Sequence, residues 1–438
     1  MSRNPIVAVV GRPNVGKSTF FNRIAGRRIS IVEDTPGVTR DRVYADCEWL
    51  THNFTLIDTG GIEPNTSDII LSQMRDQAQI AIDTADVILF LCDGKNTYTT
   101  ADEEIAQMLR ISKKPVILVL NKIDQYKEPD FFYDYYNLGL GEPIMISSVN
   151  VLGIGDLLDE IVKLFPEESE LVEEDDAIKI CFIGKPNVGK SSMVNKIIGE
   201  NRVIVSEIAG TTRDAIDTPF EYNGQKFVLI DTAGLRRQNK VNENIEKYSV
   251  IRTISAIERS DVCFIMIDAK DGITDQDKKV AGYAHEAGRA AVFVVNKWDL
   301  LVKDNDTLYE FQRVIREQFA YMPYATIMFV SAVTGQRVMQ LLDQAVYVSN
   351  NHALRISTGV LNDVLNEAMA LNQPPSDKGK RLKIYYATQA SVKPPTFVLF
   401  VNDKELAHFS YVRYLENQIR KNFNFEGTPI VFNVKARG

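Results

Sequence analysis

Two octapeptides carry the plainest chemistry in this 438-residue chain: GRPNVGKS at Gly11 to Ser18 and GKPNVGKS at Gly184 to Ser191. Each lies between an apolar run and a helical pattern, Ile6 to Val10 before Phe20 to Ile24 and Ile178 to Ile183 before Met193 to Ile198. In that setting backbone N–H groups and a helix N-terminus converge on phosphate oxygens. Gly11, Arg12, Pro13, Asn14, Val15, Gly16, Lys17, Ser18 and Thr19 form the first candidate cradle. Gly184, Lys185, Pro186, Asn187, Val188, Gly189, Lys190, Ser191 and Ser192 form the second. Gly16 and Gly189 let the backbone approach an anion, Lys17 and Lys190 reach the β and γ phosphates, and Ser18 and Ser191 can ligate Mg²⁺. One such loop could arise by chance in a glycine-bearing turn; its duplication argues against chance.

The repeat extends beyond these loops. Gly11 and Gly184, Thr39 and Thr212, and Asp58 and Asp231 are each separated by 173 positions. PGVTRD at Pro36 to Asp41 thus corresponds to AGTTRD at Ala209 to Asp214. The run Asp58, Thr59, Gly60, Gly61 corresponds to Asp231, Thr232, Ala233, Gly234. Asp58 and Asp231 end apolar strands, where a carboxylate can hold Mg²⁺ through its water shell. The small residues after them leave room for backbone contact with a γ phosphate. Thr39 and Thr212 are placed to close over the metal only while that phosphate is present.

NKID at Asn121 to Asp124 and NKWD at Asn296 to Asp299 lie 175 apart, and Ser147 and Ser331 lie 184 apart, so the second copy has gained residues in loops and between Asp299 and Met328. Base identity is expected to rest on Asn121, Asp124, Asn296 and Asp299, with Lys122 and Lys297 inside the same motifs. A carboxylate accepts from guanine N1–H and the exocyclic amine, whereas adenine offers an acceptor at N1 and no amine there. Leaving a buried polar group unpaired can give selectivity of about 10⁴ to 10⁵.

These elements, present twice and in order, resemble those of the translation-factor-related GTPases, and their tandem arrangement resembles the Der (EngA) family of bacterial double GTPases over essentially the whole chain. The resemblance implies GTP and GDP as ligands, Mg²⁺ as cofactor, GTP hydrolysis, and association with rRNA of the large (50S) ribosomal subunit during ribosome biogenesis in the cytoplasm, with a monomer as the expected state. It places Ser147, Ser148, Ser331 and Ala332 in the loop that backs the base, Ser148 departing from the usual alanine. Ile62 and Leu235 stand where many small GTPases carry the glutamine that orients water, a task no apolar side chain performs. Asn14 and Asn187 match the asparagine that, in potassium-dependent relatives, helps hold K⁺ beside the phosphates. The implied catalytic set is therefore Asn14, Lys17, Thr39 and Gly61 in one copy and Asn187, Lys190, Thr212 and Gly234 in the other. Hydrolysis without K⁺ or a partner is expected to be slow, because an arginine finger alone contributes roughly 10³ to 10⁵ in rate. A nucleotide-gated RNA-binding scaffold with little turnover stays open as an alternative. A GTPase linked to tRNA modification has less support, since the tail lacks the cysteine that such relatives place there.

Stepping outward, apolar runs such as Val87 to Cys92, Val116 to Leu120, Val262 to Ile267 and Ala291 to Val295 alternate with amphipathic stretches. The expected fold is α/β, two tandem P-loop GTPase domains with a mostly parallel sheet between helices, followed by a C-terminal α+β KH-like domain. In such sheets ligands collect at the carboxyl ends of the strands, where these motifs sit. The expected boundaries are 1–165, an acidic linker at 166–177, 178–352 and 353–438. PEESELVEEDDA at Pro166 to Ala177 has seven carboxylates and no base, which reads as a solvated linker or, as an alternative, as an RNA mimic. No segment has the ~18 consecutive apolar residues of a membrane span. Four widely spaced cysteines fit a reducing compartment, with Cys92, Cys181 and Cys263 expected in the core, and the four histidines show no ligand spacing.

In the tail, Val360, Leu361, Val364, Leu365, Ala368 and Met369 mark a helix, followed by strands Leu382 to Thr388 and Phe397 to Val401, a helix Leu406 to Asn422 and a strand Ile430 to Lys435. That order resembles a KH-like domain, but no GXXG loop occurs to clamp a nucleic-acid backbone. From Gln373 onward eleven Lys or Arg face five Asp or Glu, a net of +6 in a chain whose total is −8. Lys378, Lys380, Arg381 and Lys383 form one basic group. Arg413, Arg420 and Lys421, near Tyr411 and Tyr414, form another expected RNA contact. Arg236, Arg237 and Lys240 follow the second DTAG where the first copy has Glu63, Pro64 and Asn65, which suggests that the two switches meet different partners.

Overall fold

The structure, a computed structural model, describes residues 5–25, 44–50, 52–59, 70–125, 128–165, 177–200, 203–205, 217–231, 245–304, 306–377 and 380–436. The first repeat builds β1 (Ile6–Val10), α1 (Lys17–Ala25), β2 (Tyr44–Trp49), β3 (His52–Asp58), α2 (Ile70–Thr84), β4 (Val87–Asp93), α3 (Thr100–Ser112), β5 (Val116–Asn121), β6 (Ile144–Met145) and α4 (Ile154–Lys163). Its sheet runs β2-β3-β1-β4-β5-β6, parallel except for the β2–β3 hairpin. The Val- and Ile-rich runs are buried because both faces are covered. Ile6, Ala8 and Val10 pack with Ile105 and Leu109 of α3, while Val7 and Val9 pack with Phe20 of α1 and Leu157 of α4 on the opposite face.

The second repeat forms β7 (Ile178–Ile183), α5 (Lys190–Ile198), β8 (Val203–Val205), β9 (Thr218–Tyr222), β10 (Gln225–Leu229), α6 (Ile245–Arg259), β11 (Val262–Asp268), α7 (Asp275–Glu286), β12 (Ala290–Asn296), α8 (Thr307–Gln318), β13 (Thr326–Phe329) and α9 (Gln340–His352). Its sheet has the order β13-β12-β11-β7-β10-β9-β8. The residues gained after Asp299 include α8, which buries Ile315; just beyond it Phe319 packs on Phe293 with ring centroids 4.5 Å apart. In the first repeat the corresponding stretch is a 3₁₀ turn over Phe132–Leu138.

The tail comprises α10 (Thr358–Leu371), a ribbon of β14 (Ser376–Asp377) and β15 (Lys380–Arg381), then β16 (Ile384–Ser391), β17 (Thr396–Val401), α11 (Phe409–Asn422) and β18 (Val431–Ala436). Its sheet is β16-β17-β18, with the first pair antiparallel and the second parallel. The expected α-β-β-α-β order is thus observed, with the two-residue ribbon in addition. Backbone contacts divide the chain into two compact units, one of residues 2–175 with 239–255 and one of 176–238 with 256–438. The tail therefore shares a unit with the second repeat apart from 239–255. Within it Gly427 N–H donates to Tyr324 O at 2.7 Å, its carbonyl accepts from Ala291 N at 2.8 Å, and Lys393 meets Asp261 at 3.3 Å. No helix among the described residues is long and apolar enough to cross a membrane.

Candidate functional site

In both repeats the phosphate-type loop leaves the carboxyl end of a central strand, β1 or β7, and runs into α1 or α5 at its lysine. Lys17 Nζ donates to the carbonyls of Gly11 at 2.6 Å and Arg12 at 2.8 Å; Lys190 does the same with Gly184 at 2.7 Å and Lys185 at 2.8 Å. Two carbonyls thus hold each buried ammonium across its own loop. Burial draws Lys190 down to about 8, and the nearby Asp277 carboxylate opposes that shift. Asn14 and Asn187 are exposed and adopt φ of 64° and 62°, a conformation asparagine tolerates better than most residues. Gly16 and Gly189 have φ of 96° and 102°, and a Cβ there would lie 2.4 Å and 2.3 Å from the Nδ2 of Asn121 and Asn296.

The metal-type pair is assembled in the first repeat, where Ser18 Oγ donates to Asp58 Oδ2 at 3.0 Å. Thr59 beside it ties β3 to β1 by donating to Val9 O at 2.5 Å. In the second repeat Asp231 sits just past β10 at φ 60°, its N–H donating to Asp217 Oδ1 at 3.1 Å, and Asp217 is ion-paired with Arg259. Thr39, Gly60, Gly61, Ile62, Thr212, Thr232, Ala233, Gly234 and Leu235 lie outside the described residues, as do the switch residues that follow and the acidic run.

The asparagines of NKID and NKWD each tie two loops together. Asn121 Nδ2 donates to Val15 O at 2.9 Å, and its Oδ1 accepts from Ser148 N at 3.0 Å and Ser148 Oγ at 2.9 Å. Asn296 repeats this with Val188 O at 2.8 Å and Ala332 N at 3.0 Å. Each buried amide therefore rivets the phosphate-type loop to the loop that carries Ser148 or Ala332. Ser148 contributes one bond that Ala332 cannot.

Asp124 accepts from Ser147 Oγ at 2.9 Å and Asn150 Nδ2 at 3.1 Å and pairs with Lys95 at 3.0 Å. Those bonds, Lys95 first, hold its carboxyl below the usual range. Asp299 differs: its Oδ1 is buried and has no hydrogen-bond partner. A buried carboxylate oxygen left so is costly unless a ligand donates to it. Lys122 meets Asp93 at 2.8 Å and Lys297 meets Asp268 at 2.5 Å, which locks each NKxD turn to the end of the neighbouring strand, β4 or β11. Burial works against ionisation of Asp93 and Asp268, but the lysine and backbone donors outweigh it and lower both.

The tail corrects one expectation. Tyr411 is buried and its hydroxyl donates to Asn372 O at 2.8 Å, while Tyr414 OH donates to Ala368 O at 2.8 Å. Both rings clamp α11 to α10, so they offer no platform beside the bases of that helix. Arg420 is likewise internal, bonded to Glu416 Oε1 at 2.8 Å and to Phe425 O and Thr428 O at 3.0 Å, and lying 5.4 Å from the Tyr324 ring. Arg413, Lys421, Lys380, Arg381 and Lys383 are exposed; Lys378 is outside the described residues. All four cysteines are buried, and burial raises the thiols of Cys92 and Cys181. A cavity lined by Tyr309, Arg313, Arg316, Gln344, Tyr347 and Glu426 contains none of the nucleotide motifs.

The protein-family description "50S ribosome-binding GTPase" matches residues 6–122 and again 179–297, and "KH-domain-like of EngA bacterial GTPase enzymes, C-terminal" matches 355–435. The chain is 64% identical to the GTPase Der of Alkaliphilus metalliredigens, covering 98% of this chain and 97% of that protein. It is 62% identical to the GTPase Der of Alkaliphilus oremlandii over 99% and 98% of the two chains, and 60% identical to that of Clostridium perfringens over 99% of each.

Proposed function

The chain belongs to the GTPase Der family, and from that premise we propose that its two nucleotide sites are Mg²⁺-dependent GTP switches whose state controls docking on the large ribosomal subunit. It is a GTP-binding, ribosome-associated GTPase. The observation that carries the two-site reading is the rivet repeated in both halves, with Asn121 and Asn296 each joining phosphate loop to base loop. The unpartnered Asp299 oxygen is a feature that a guanine nucleotide satisfies.

Ser18 and Asp58, with Ser191 and Asp231, are the residues that would hold Mg²⁺, which supplies positive charge to the β and γ phosphates. Lys17 and Lys190 transfer their donors from loop carbonyls to phosphate oxygens when nucleotide enters. Thr39 and Thr212 respond to the γ phosphate, and loss of that phosphate releases them. Asp124 and Asp299 select guanine. With Ile62 and Leu235 unable to orient water, Asn14 and Asn187 are the residues that would hold K⁺, which would supply positive charge beside the phosphates, and turnover is expected to be slow without it. The exposed left-handed asparagines support this role. Equal GTP hydrolysis in matched NaCl and KCl buffers would sink the potassium part.

The working state is a cytoplasmic monomer that binds rRNA through its basic tail, while the unlike residues after the two DTxG motifs give the switches different partners. Sedimentation with 30S and 50S particles under GTP, GDP and a non-hydrolysable analogue tests this directly. Association confined to 50S and altered by nucleotide is the expected result; nucleotide-independent binding to both particles overturns it.

A further inference from the structure

The tail sheet has one face covered by helices and a second face that, among the described residues, is exposed at its Tyr386 and Lys435 end. Ala387, Phe397, Leu399 and Val401 point to the core beneath α10 and α11, joined by Leu361 and Leu415. Period-2 alternation sends their neighbours the other way. The register places Tyr386 opposite Phe400 and Phe400 opposite Lys435, one transverse row across all three strands. The next row is Thr388, Val398 and Asn433, with Val398 buried, so the accessible part of this face is the Tyr386 row and the β18 edge.

Tyr386 and Phe400 stack with centroids 4.4 Å apart and planes 14° from parallel. Tyr386 is 41% exposed, and Lys435 and Asn433 are exposed beside the stack. Lys383, three residues before Tyr386, and Arg381 are also exposed. An aromatic pair open on one side and flanked by cations is what an unpaired base and its phosphate require.

We infer that this open sheet face, with the Tyr386–Phe400 stack as its platform and Lys435 as its phosphate contact, is a binding site for single-stranded RNA. The site replaces two things the tail lacks: a GXXG clamp, absent from its sequence, and the α11 tyrosines, which are committed to the helix pair. Charge favours nucleic acid over a protein partner, since the tail from Gln373 carries +6 while the preceding chain carries −14. A duplex hides its base faces and fits the platform poorly. The inference rests on the ribosomal reading above, because that reading supplies the RNA.

The test uses the full chain and a fluorescein-labelled, unstructured ten-nucleotide RNA, with a blunt RNA duplex of equal length as competitor. Single-strand affinity is expected to fall about tenfold in Tyr386→Leu and in Phe400→Leu, in keeping with the worth of one base stack. Tyr386→Phe keeps the ring and is expected to bind like wild type. Lys435→Gln is expected to reduce the salt slope by about 0.7, one phosphate contact on a single strand. GTP turnover of the free protein, unchanged in every variant, verifies folding. The site is overturned if wild type does not bind the single strand, if Tyr386→Leu binds like Tyr386→Phe, or if the duplex competes equally. Co-sedimentation of wild type with 50S is read separately: its failure removes the ribosomal reading, whereas its success with unaffected Leu variants removes only the platform.

Discussion

Asp102, wholly buried, lies with its Oδ2 3.6 Å from Arg12 Nε, so the second residue of the first phosphate loop is anchored to the start of a helix across the sheet. Asp102 also closes a capping box with Thr99, accepting from its N–H and hydroxyl at 2.9 Å each. The second repeat reproduces this with Asp277, Thr274 and Lys185, the ion pair there measuring 4.0 Å. Because the Arg12 and Lys185 carbonyls hold Lys17 and Lys190, each buried carboxylate is one residue removed from the lysine proposed to meet phosphate.

Asp102→Ala removes the N3 half of a capping box, about 1 kcal/mol at most, and the counter-charge of a largely enclosed guanidinium. GDP affinity at the first site is expected to fall about tenfold. Asp277→Ala is expected to weaken the second site less, because Lys185 keeps Asp271 at 3.2 Å. Calorimetric titration of both sites checks the order, and equal losses contradict it.

Gly189→Ala introduces a Cβ at φ 102° and 2.3 Å from Asn296 Nδ2, which displaces the rivet between phosphate loop and base loop. Binding at the second site is expected to fall at least 100-fold while the first site is kept. Titration with a fluorescent GDP should then show one site in place of two. Gly16→Ala is expected to give the mirror result.

The nucleotide loops, their strands and the tail order were legible in the sequence because each is written locally, as a glycine turn, a Val/Ile run or a helical period. The tie that Asn121 makes between two loops was not, since its partners Val15 and Ser148 are distant in sequence and belong to motifs that each suggest a ligand. Tyr411, Tyr414 and Arg420 misled for a related reason: helical spacing groups them with Arg413 and Lys421, but packing against α10 and Tyr324 turns them inward. The Asp102 and Asp277 anchors had a readable signal, the T-x-x-D capping pattern repeated at Thr99 and Thr274.

In each site the proposed acceptor for guanine N1–H and its exocyclic amine is one carboxylate, Asp124 or Asp299. Asp124→Asn and Asp299→Asn present an amide donor where guanine also has donors, while xanthine carries a carbonyl at C2. Each variant is expected to lose GTP by orders of magnitude at its own site and to gain XTP. Competition between GTP and XTP measures this; a variant that still prefers GTP refutes the carboxylate's role.

Acid sensitivity is expected where the second repeat meets the tail. His285 Nδ1 lies 2.9 Å from Tyr324 OH, and the buried His352 lies with Nε2 3.2 Å from Gly288 O. Burial lowers both to about 4, aided by Arg420 at His285 and by Arg289 and Lys393 at His352, where Asp261 opposes. The unfolded chain takes up these protons near pH 6.5 and the folded chain near 4, so stability is fully present above 6.5 and is lost as pH falls through that window. Each histidine is worth up to about 3 kcal/mol by this linkage. Urea unfolding followed through Trp298 in a Trp49→Phe background should show a midpoint falling between pH 6.5 and 5. The fall should be flatter in a His285→Gln, His352→Gln double variant, whereas carboxylate protonation nearer pH 4 remains in both proteins. The same slope in both between pH 6.5 and 5 would assign the sensitivity to other groups.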